Sequence, residues 1–174
     1  LDTNLIQVAN NTHTWMKDSI KFALVYKTPF WKDKNLSGVA FSNVGPIAEM
    51  YEHSNFENNH FALMGFLNGS LINESKKQRE AKIKVQLFKF FGEDGKNYLS
   101  YEEKIWNEDE LLNFKNEKLI PPHYNNGHEI YQQEYLKDKF IIAGSETSKK
   151  YGGYMEGASY RGNQIVAQVT HEFL

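Results

Sequence analysis

The chain has 174 residues, a formal net charge of -2 at pH 7 and no cysteine. A chain of this length can bury one sizeable core, and its composition is that of a folded protein rather than a disordered one. Without cysteine there are no disulfides, thiolate zinc sites or cysteine-linked flavins, and the near-neutral charge gives no reason to expect nucleic acid binding.

Short apolar runs, separated by Gly, Asn and Pro turn residues, make up much of the first part of the chain. Each run is rich in aromatic and β-branched residues, which favour strands, and the short spacing between runs favours an antiparallel meander. The predicted strands are 20–27, 37–43, 46–53 and 60–68.

The hydrophobic period then changes to that of a helix over residues 74–92. Ile83 and Leu87 lie one helical turn apart, and Gly92 is placed to end the helix. The segment is basic on one side and apolar on the other. A helix lying on a membrane surface is one interpretation, and a core-packed helix with solvated lysines is the one we favour.

Another strand is predicted at 98–106, in which Glu102 and Glu103 point to opposite faces and therefore do not share a site. Residues 107–136 are polar and Asn-rich, and Pro121-Pro122 interrupts any regular element there. This stretch receives no assignment.

The last part of the chain predicts a buried strand at 139–144 and a helix at 155–172. The first N–H groups of a helix lack intrahelical partners and attract anionic or accepting ligand atoms, an effect of about 0.3–1 kcal/mol. Gly152 and Gly153, just before the helix, would let a planar ring approach the backbone, although glycines here are also ordinary turn residues. One stripe of the helix carries small and apolar residues: Ala158, Gly162, Ile165, Val166 and Val169.

Taken together, these segments resemble the C-terminal portion of the flavin-containing monoamine oxidase family, in the family's order. The most specific part is "FIIAGSETS" (140–148) followed by "GGYMEGASYRGNQIV" (152–166). Weaker matches come earlier in the chain: "VYKTPFW" (25–31), "SGVAFSNVGPIAEMYEHS" (37–54), "FALMGFLNG" (61–69), Trp106 and Pro121-Pro122.

The resemblance implies an α+β fold. Residues 1–138 would form part of a substrate-binding domain, a mixed and largely antiparallel sheet with packing helices. Residues 139–174 would supply the terminal strand and helix of an FAD-binding domain whose N-terminal Rossmann-type part is absent from these residues.

The resemblance also implies roles for individual residues. Tyr154 matches one of two aromatic residues that flank the substrate amine and orient it towards the flavin, and the second aromatic position falls on Asn116. The position used for covalent flavin attachment falls on Lys115, so any FAD is expected to be noncovalent. The residues expected to contact FAD are Gly144, Ser145, Glu146, Gly153, Met155 and Trp106.

The implied parent enzyme oxidises a small-molecule amine to an imine by hydride transfer to FAD. These residues contain neither the G-x-G-x-x-G loop nor the lysine that the family places near the flavin. This fragment alone is therefore expected neither to retain FAD nor to oxidise substrate. One alternative is a noncatalytic truncated module without flavin, and another is a related oxidase or desaturase with a nonamine substrate. A homo-oligomer is left open.

Other signals favour structural roles. His123 and His128 match no common zinc spacing, and the loop beginning at Asp94 lacks the glycine that a calcium site needs, so no metal is expected. Glu156 suits the first turn of a helix, where a carboxylate interacts favourably with the dipole. No run of about 18 apolar residues predicts a membrane span, and the absence of cysteine fits a cytoplasmic protein.

Overall fold

The structure is a computed structural model that describes residues 2–112 and 120–172, without the side chains of residues 171 and 172. The chain divides into two units, Asp18–Asp109 on the one hand and Leu1–Lys17 with Glu110–Leu174 on the other. The predicted boundary between residues 138 and 139 concerns functional domains of a whole enzyme and stays a prediction.

The unit Asp18–Asp109 is built on a five-stranded sheet in the order β2-β3-β4-β1-β5. Every strand pair in this sheet is antiparallel, which confirms the predicted antiparallel pairing. The strands are β1 (Ile20–Tyr26), β2 (Ala40–Phe41), β3 (Ile47–Glu52), β4 (Phe61–Leu67) and β5 (Ser100–Ile105).

The sheet is not the simple meander that the sequence predicted, because β1 lies between β4 and β5 instead of beside β2. Every second residue of β1 is buried, as expected of a central strand with one face on the core. The connection after β1 also contains a short helix, α2 (Phe30–Asp33), in which Trp31 is completely buried. It is therefore a packed segment of the core and not a hairpin loop.

The predicted strand 37–43 is wrong in length, since only Ala40 and Phe41 pair with β3. Gly38 has φ +73°, a left-handed conformation that interrupts an extended chain. A Cβ at Gly38 would also lie within 3.2 Å of side-chain atoms of Trp31, Glu52 and Leu63. The glycine thus serves a tight turn over the core, a role that strand periodicity does not reveal.

Helix α3 (Lys76–Phe91) covers one face of the sheet, which confirms the predicted core-packed helix. Ser75 and Gln78 form a capping box at its start, and Gly92, with φ +72°, ends it as predicted. Ile83 and Leu87 are fully buried against the strands. Each such side chain stabilises the fold by roughly 1.5–3 kcal/mol relative to an exposed one.

A buried ion pair joins α3 to β5. The Arg79 guanidinium donates to both carboxylate oxygens of Glu103, at 2.9 and 2.6 Å, and the two side chains are only 3% and 7% exposed. Arg79 also donates to the carbonyl of Leu71, and the Tyr101 hydroxyl donates to Glu103. As predicted, Glu102 on the opposite face of β5 does not share this site, because its side chain is 71% exposed.

This ion pair predicts a loss of stability in acid. Burial alone would raise the pKa of Glu103, but hydrogen bonds from Arg79 and Tyr101 hold that pKa below its usual value. The contribution is therefore complete above the unfolded pKa of about 4.3 and is lost as pH falls through the lower folded pKa. In urea unfolding, Glu103→Gln should be less stable than the parent chain at pH 7, and the difference should shrink below about pH 4. A difference that is constant with pH would contradict this.

The other unit has a small core in which helix α1 (Thr3–Asn10), absent from the predicted elements, contributes Leu5. Leu5 packs with Ile130, Tyr131 and Tyr135 of the segment that received no assignment. Helix α4 (Met155–Glu172) confirms the predicted last helix. The Arg161 guanidinium in this helix donates to the Tyr131 carbonyl at 2.8 Å, so α4 is tied to the core.

The predicted buried strand 139–144 is wrong in length and burial. Of these residues only Phe140–Ile141 form a strand, β7, which pairs with β6 (Glu134–Tyr135), and Phe140 is 38% exposed. Three successive residues, 136–138, have positive φ values and form the tight turn between the two strands. Within the described part of this unit, β6 is the only strand that pairs with β7, so β7 is not a central strand of a larger sheet.

Candidate functional site

The glycine-rich turn before α4 is shaped by a close approach of backbone to backbone. A Cβ added at Gly157 would lie 2.2 Å from the Tyr151 carbonyl oxygen, so only glycine fits there. Tyr151 and Gly153 both have positive φ values, 55° and 84°. The chain therefore folds back on itself between residues 151 and 157, and the helix begins with Met155.

Two segments of the predicted cofactor site lie next to each other. The Gly153 N–H donates to the Ser145 carbonyl at 3.1 Å, which joins the turn before α4 to the turn after β7. The Thr147 hydroxyl donates to the Gly144 carbonyl at 2.9 Å, and the Ser145 hydroxyl donates to the Glu146 carboxylate at 2.7 Å. The structure thus brings the turn that contains Ser145 into contact with the turn that contains Gly153, eight residues later in the sequence.

The start of α4 is exposed. Tyr154 is 58% exposed and Met155 is 86% exposed, and Glu156 in the first turn is exposed as well. The predicted stripe on the same helix is only partly covered: Val166 is 62% exposed and Ala158 is exposed, while the other three residues are half-buried. Backbone N–H groups of a first helical turn have no intrahelical acceptor, so this end of α4 can receive an anionic or accepting group.

Three of the glycines differ in what surrounds them. Gly144 has extended backbone, and a Cβ there would meet only the Glu146 carboxylate at 3.8 Å, so its face is open. At Gly152 and Gly153, where a bound ring was expected, a Cβ would contact Asn126 at 2.8 and 3.2 Å. The open surface that could accept a flavin is therefore at Gly144 and the start of α4, while the space beside Gly152 and Gly153 is filled by the chain itself.

The fit to the implied cofactor follows from these observations. Gly144 offers bare backbone, Ser145 and Glu146 offer polar atoms beside it, and Met155 begins an exposed helix. A flavin presents phosphate and carbonyl oxygens that suit a helix N-terminus, and a flat ring that suits bare backbone. The residues present fit FAD, and the individual contacts stay predictions.

An aromatic neighbour of Tyr154 was missed by the sequence analysis. The His123 imidazole is stacked on the Tyr154 ring, with centroids 5.5 Å apart and an interplanar angle of 20°. From its spacing in the sequence, His123 is expected to have only a structural role. The one sequence signal for this contact is Gly153, whose missing side chain makes room beside His123 Nδ1.

The remaining predicted site residues are Trp106, which lies in the other unit, and Asn116 and Lys115, which lie outside the described residues. Trp106 belongs to the unit Asp18–Asp109. Its backbone N–H donates to the Ser19 carbonyl at 3.2 Å, and Lys104 Nζ lies 5.3 Å from the centroid of its ring. Its indole Nε1 is buried and finds no hydrogen-bond partner among the described residues. Asn116 and Lys115 fall within residues 113–119, outside the described residues.

The described ranges, 2–112 and 120–172, contain neither a metal-binding cluster nor a membrane-spanning helix. No group of three or more His, Asp or Glu side chains there could hold a metal ion. None of the helices in those ranges combines the length and apolar character needed to cross a bilayer.

Solved structures with this fold include amine-oxidising enzymes. Wild-type putrescine oxidase bound to putrescine superposes on 98% of this chain and 38% of its own, with a TM-score of 0.77 at 20% identity. Cyclohexylamine oxidase from Brevibacterium oxydans covers 89% of this chain and 35% of its own, with a TM-score of 0.72 at 22% identity. These likenesses show the α+β fold that the sequence predicted.

Curated relatives are similar along most of the chain. Flavin-containing amine oxidase B of Homo sapiens is 28% identical over 159 residues, 87% of this chain and 30% of that protein. The probable flavin-containing monoamine oxidase A of Dictyostelium discoideum is 26% identical over 167 residues, 91% of this chain and 36% of that protein. The chain thus spans about a third of the length of these relatives. Because residues 5–170 match the family described as flavin containing amine oxidoreductase, the chain belongs to that family.

Proposed function

We propose that the natural protein containing this chain oxidises a small-molecule amine to an imine, with noncovalent FAD as the hydride acceptor. Membership of the flavin containing amine oxidoreductase family supports an oxidoreductase. The observation that carries the proposal is the 3.1 Å hydrogen bond from the Gly153 N–H to the Ser145 carbonyl. This bond holds the two most family-like segments together on one exposed edge.

The proposed cofactor contacts follow that edge. Gly144, Ser145 and Glu146 would lie along the ribityl and phosphate part of FAD, where the open face of Gly144 permits close approach. The exposed first turn of α4 would place the Met155 N–H near the ring, where a helix N-terminus stabilises negative charge by about 0.3–1 kcal/mol. Gly153 would support this edge through its bond to the Ser145 carbonyl and not by touching the ring, because Asn126 and His123 fill the space beside it. Trp106 is proposed as a cofactor residue from the family resemblance alone, and a bound flavin would supply the hydride-accepting chemistry.

Tyr154 is the proposed substrate-orienting residue. Its ring is 58% exposed and stands one residue before α4, beside the proposed flavin edge. A flat aromatic wall restricts the approach of an amine and helps to hold its Cα–H in a reactive orientation. We propose that Asn116 lines the opposite side of the bound amine. Glu156 stays a first-turn carboxylate that interacts with the helix dipole, since this oxidation asks for a deprotonated amine and no strong protein base.

The proposal is tested on the purified natural protein. We expect the absorption bands of a flavin, release of that flavin into solution on acid precipitation, and peroxide formation with at least one of several monoamines, diamines and polyamines. A colourless protein that takes up no added FAD would contradict the proposal and favour the noncatalytic module. A flavoprotein that oxidises only nonamine compounds would favour the related oxidase or desaturase.

Gly144→Ala tests the cofactor edge separately. The added methyl group enters open space in this chain, so the unfolding temperature should not change. If FAD lies against this backbone, the methyl should lower FAD affinity roughly 5- to 150-fold, since overpacking by one carbon costs roughly 1–3 kcal/mol. Gly162→Ala on α4, which also meets no neighbouring atom, is the matched control and should leave FAD affinity unchanged. Unchanged affinity in Gly144→Ala would remove Gly144 from the cofactor site.

A further inference from the structure

The stack of His123 on Tyr154 has a geometry that excludes a ligand from between the rings. The centroids are 5.5 Å apart and the planes differ by 20°, which is an offset-stacked pair. A flat group between two rings needs about 7 Å, because carbon layers touch at roughly 3.5–4.0 Å. His123 therefore supports one side of the Tyr154 ring and cannot be the opposite wall of an amine site.

His123 is itself held in place by two polar contacts. Its backbone N–H donates to Nδ1 of His13, a side chain that is only 5% exposed, at 3.2 Å. Its ring Nδ1 lies 3.3 Å from the Asn126 amide nitrogen. The missing side chain of Gly153 leaves room for both groups, since a Cβ there would lie 3.2 Å from each. The imidazole is thus held in its own loop, from which it stacks on Tyr154.

The backbone of His123 is also unusual. Its φ is +59°, in the left-handed region that glycine adopts most easily and that asparagine, aspartate and histidine adopt more often than other residues. A larger residue retained in this conformation requires surrounding contacts that hold it, and such residues are concentrated at functional sites. The ring is thus kept where glycine would fit the backbone better.

We propose that His123 is a positioning residue, which holds the plane of the Tyr154 ring and through it the approach of the substrate amine. This inference rests on the proposed role of Tyr154. Without the imidazole, the Tyr154 side chain would be free to turn away from its present plane. The expected result is a poorly oriented amine, which lowers kcat more than it raises KM.

The test uses the natural protein and steady-state peroxide formation from putrescine, cyclohexylamine, benzylamine and spermidine. His123→Gly removes the ring and suits the left-handed backbone, so the protein should melt no lower than the parent. Its kcat/KM for the best of these amines should fall at least about tenfold, mainly through kcat. His123→Phe restores a flat ring and should recover activity to within about threefold of the parent.

A double-mutant comparison separates positioning from a general structural role. In the Tyr154→Ala protein, the further change His123→Gly should have little effect, because its influence passes through the absent phenol. Unchanged kcat/KM in His123→Gly, no recovery in His123→Phe, or an equal loss in the Tyr154→Ala background would each overturn the inference. If the parent protein oxidises none of the four amines, the proposed function fails for them and the inference falls with it. If the parent oxidises amines and Tyr154→Ala is as active, only the role of Tyr154 and the inference fail.

Discussion

Replacing Gly157 by alanine should destabilise the turn before α4 by about 1–3 kcal/mol, the usual cost of overpacking. The new Cβ would lie 2.2 Å from the Tyr151 carbonyl oxygen, closer than any tolerated contact, and the obstacle is backbone that cannot rotate away. The turn would have to open, which would break the link from Gly153 to Ser145. In the natural protein, FAD affinity should fall together with the stability of this turn.

Hydrogen exchange is the measurement that locates this effect. Amides of residues 151–157 should exchange faster in Gly157→Ala than in the parent, while those of β1 to β5 should not change. Gly162→Ala is the matched control on the same helix. It meets no neighbouring atom and should stabilise α4 by roughly 0.5–1 kcal/mol, the usual gain from alanine over glycine. Similar exchange in both variants would show that the close approach at Gly157 does not determine the turn.

Replacing Arg79 by methionine should cost about 3–5 kcal/mol of unfolding free energy, because it leaves the Glu103 carboxylate buried without its cation. The Glu103 side chain is 7% exposed, and the Tyr101 hydroxyl would then be its remaining side-chain donor. In a Trp15→Phe background, urea unfolding followed by tryptophan emission reports on this unit, since Trp31 and Trp106 belong to it and Trp15 lies in the other unit. The sheet and α3 should unfold at a clearly lower urea concentration.

Two further variants identify the source of that loss. Lys84→Met removes a half-exposed cation on the same helix, 3.3 Å from Glu80, and should cost no more than about 0.5 kcal/mol. The double variant Arg79→Met with Glu103→Leu replaces the whole pair by apolar groups and should recover most of the stability. If the double variant is as unstable as Arg79→Met, the loss comes from packing and hydrogen bonds of Arg79 rather than from an unpaired carboxylate.

The sequence predicts those elements whose signal is local and periodic. Helix α3 was predicted because Ile83 and Leu87 share a face and Gly92 ends the helix, and the structure confirms both. Helix α4 was predicted in the same way. The placement of β1 between β4 and β5 could not be predicted, since the partners of a strand depend on how the whole sheet buries its core.

The candidate site was predicted only in part, for a similar reason. The resemblance implied that Gly144, Ser145 and Met155 contact a cofactor, which stays a prediction, and the structure places their two turns in hydrogen-bonded contact. The stack of His123 on Tyr154 joins residues distant in sequence and leaves no periodic signal. Gly153 indicates that something packs closely, but a glycine does not identify its neighbour.

The turn between β6 and β7 limits which sequences this region can accept. Leu136, Lys137 and Asp138 are consecutive left-handed residues, with φ values of 55°, 58° and 65°. Each such position costs an ordinary L-residue roughly 1–2 kcal/mol, and asparagine, aspartate and glycine lose least. Natural variation at these three positions should therefore drift towards those residue types and avoid valine, isoleucine and threonine, whatever chemistry the rest of the protein performs.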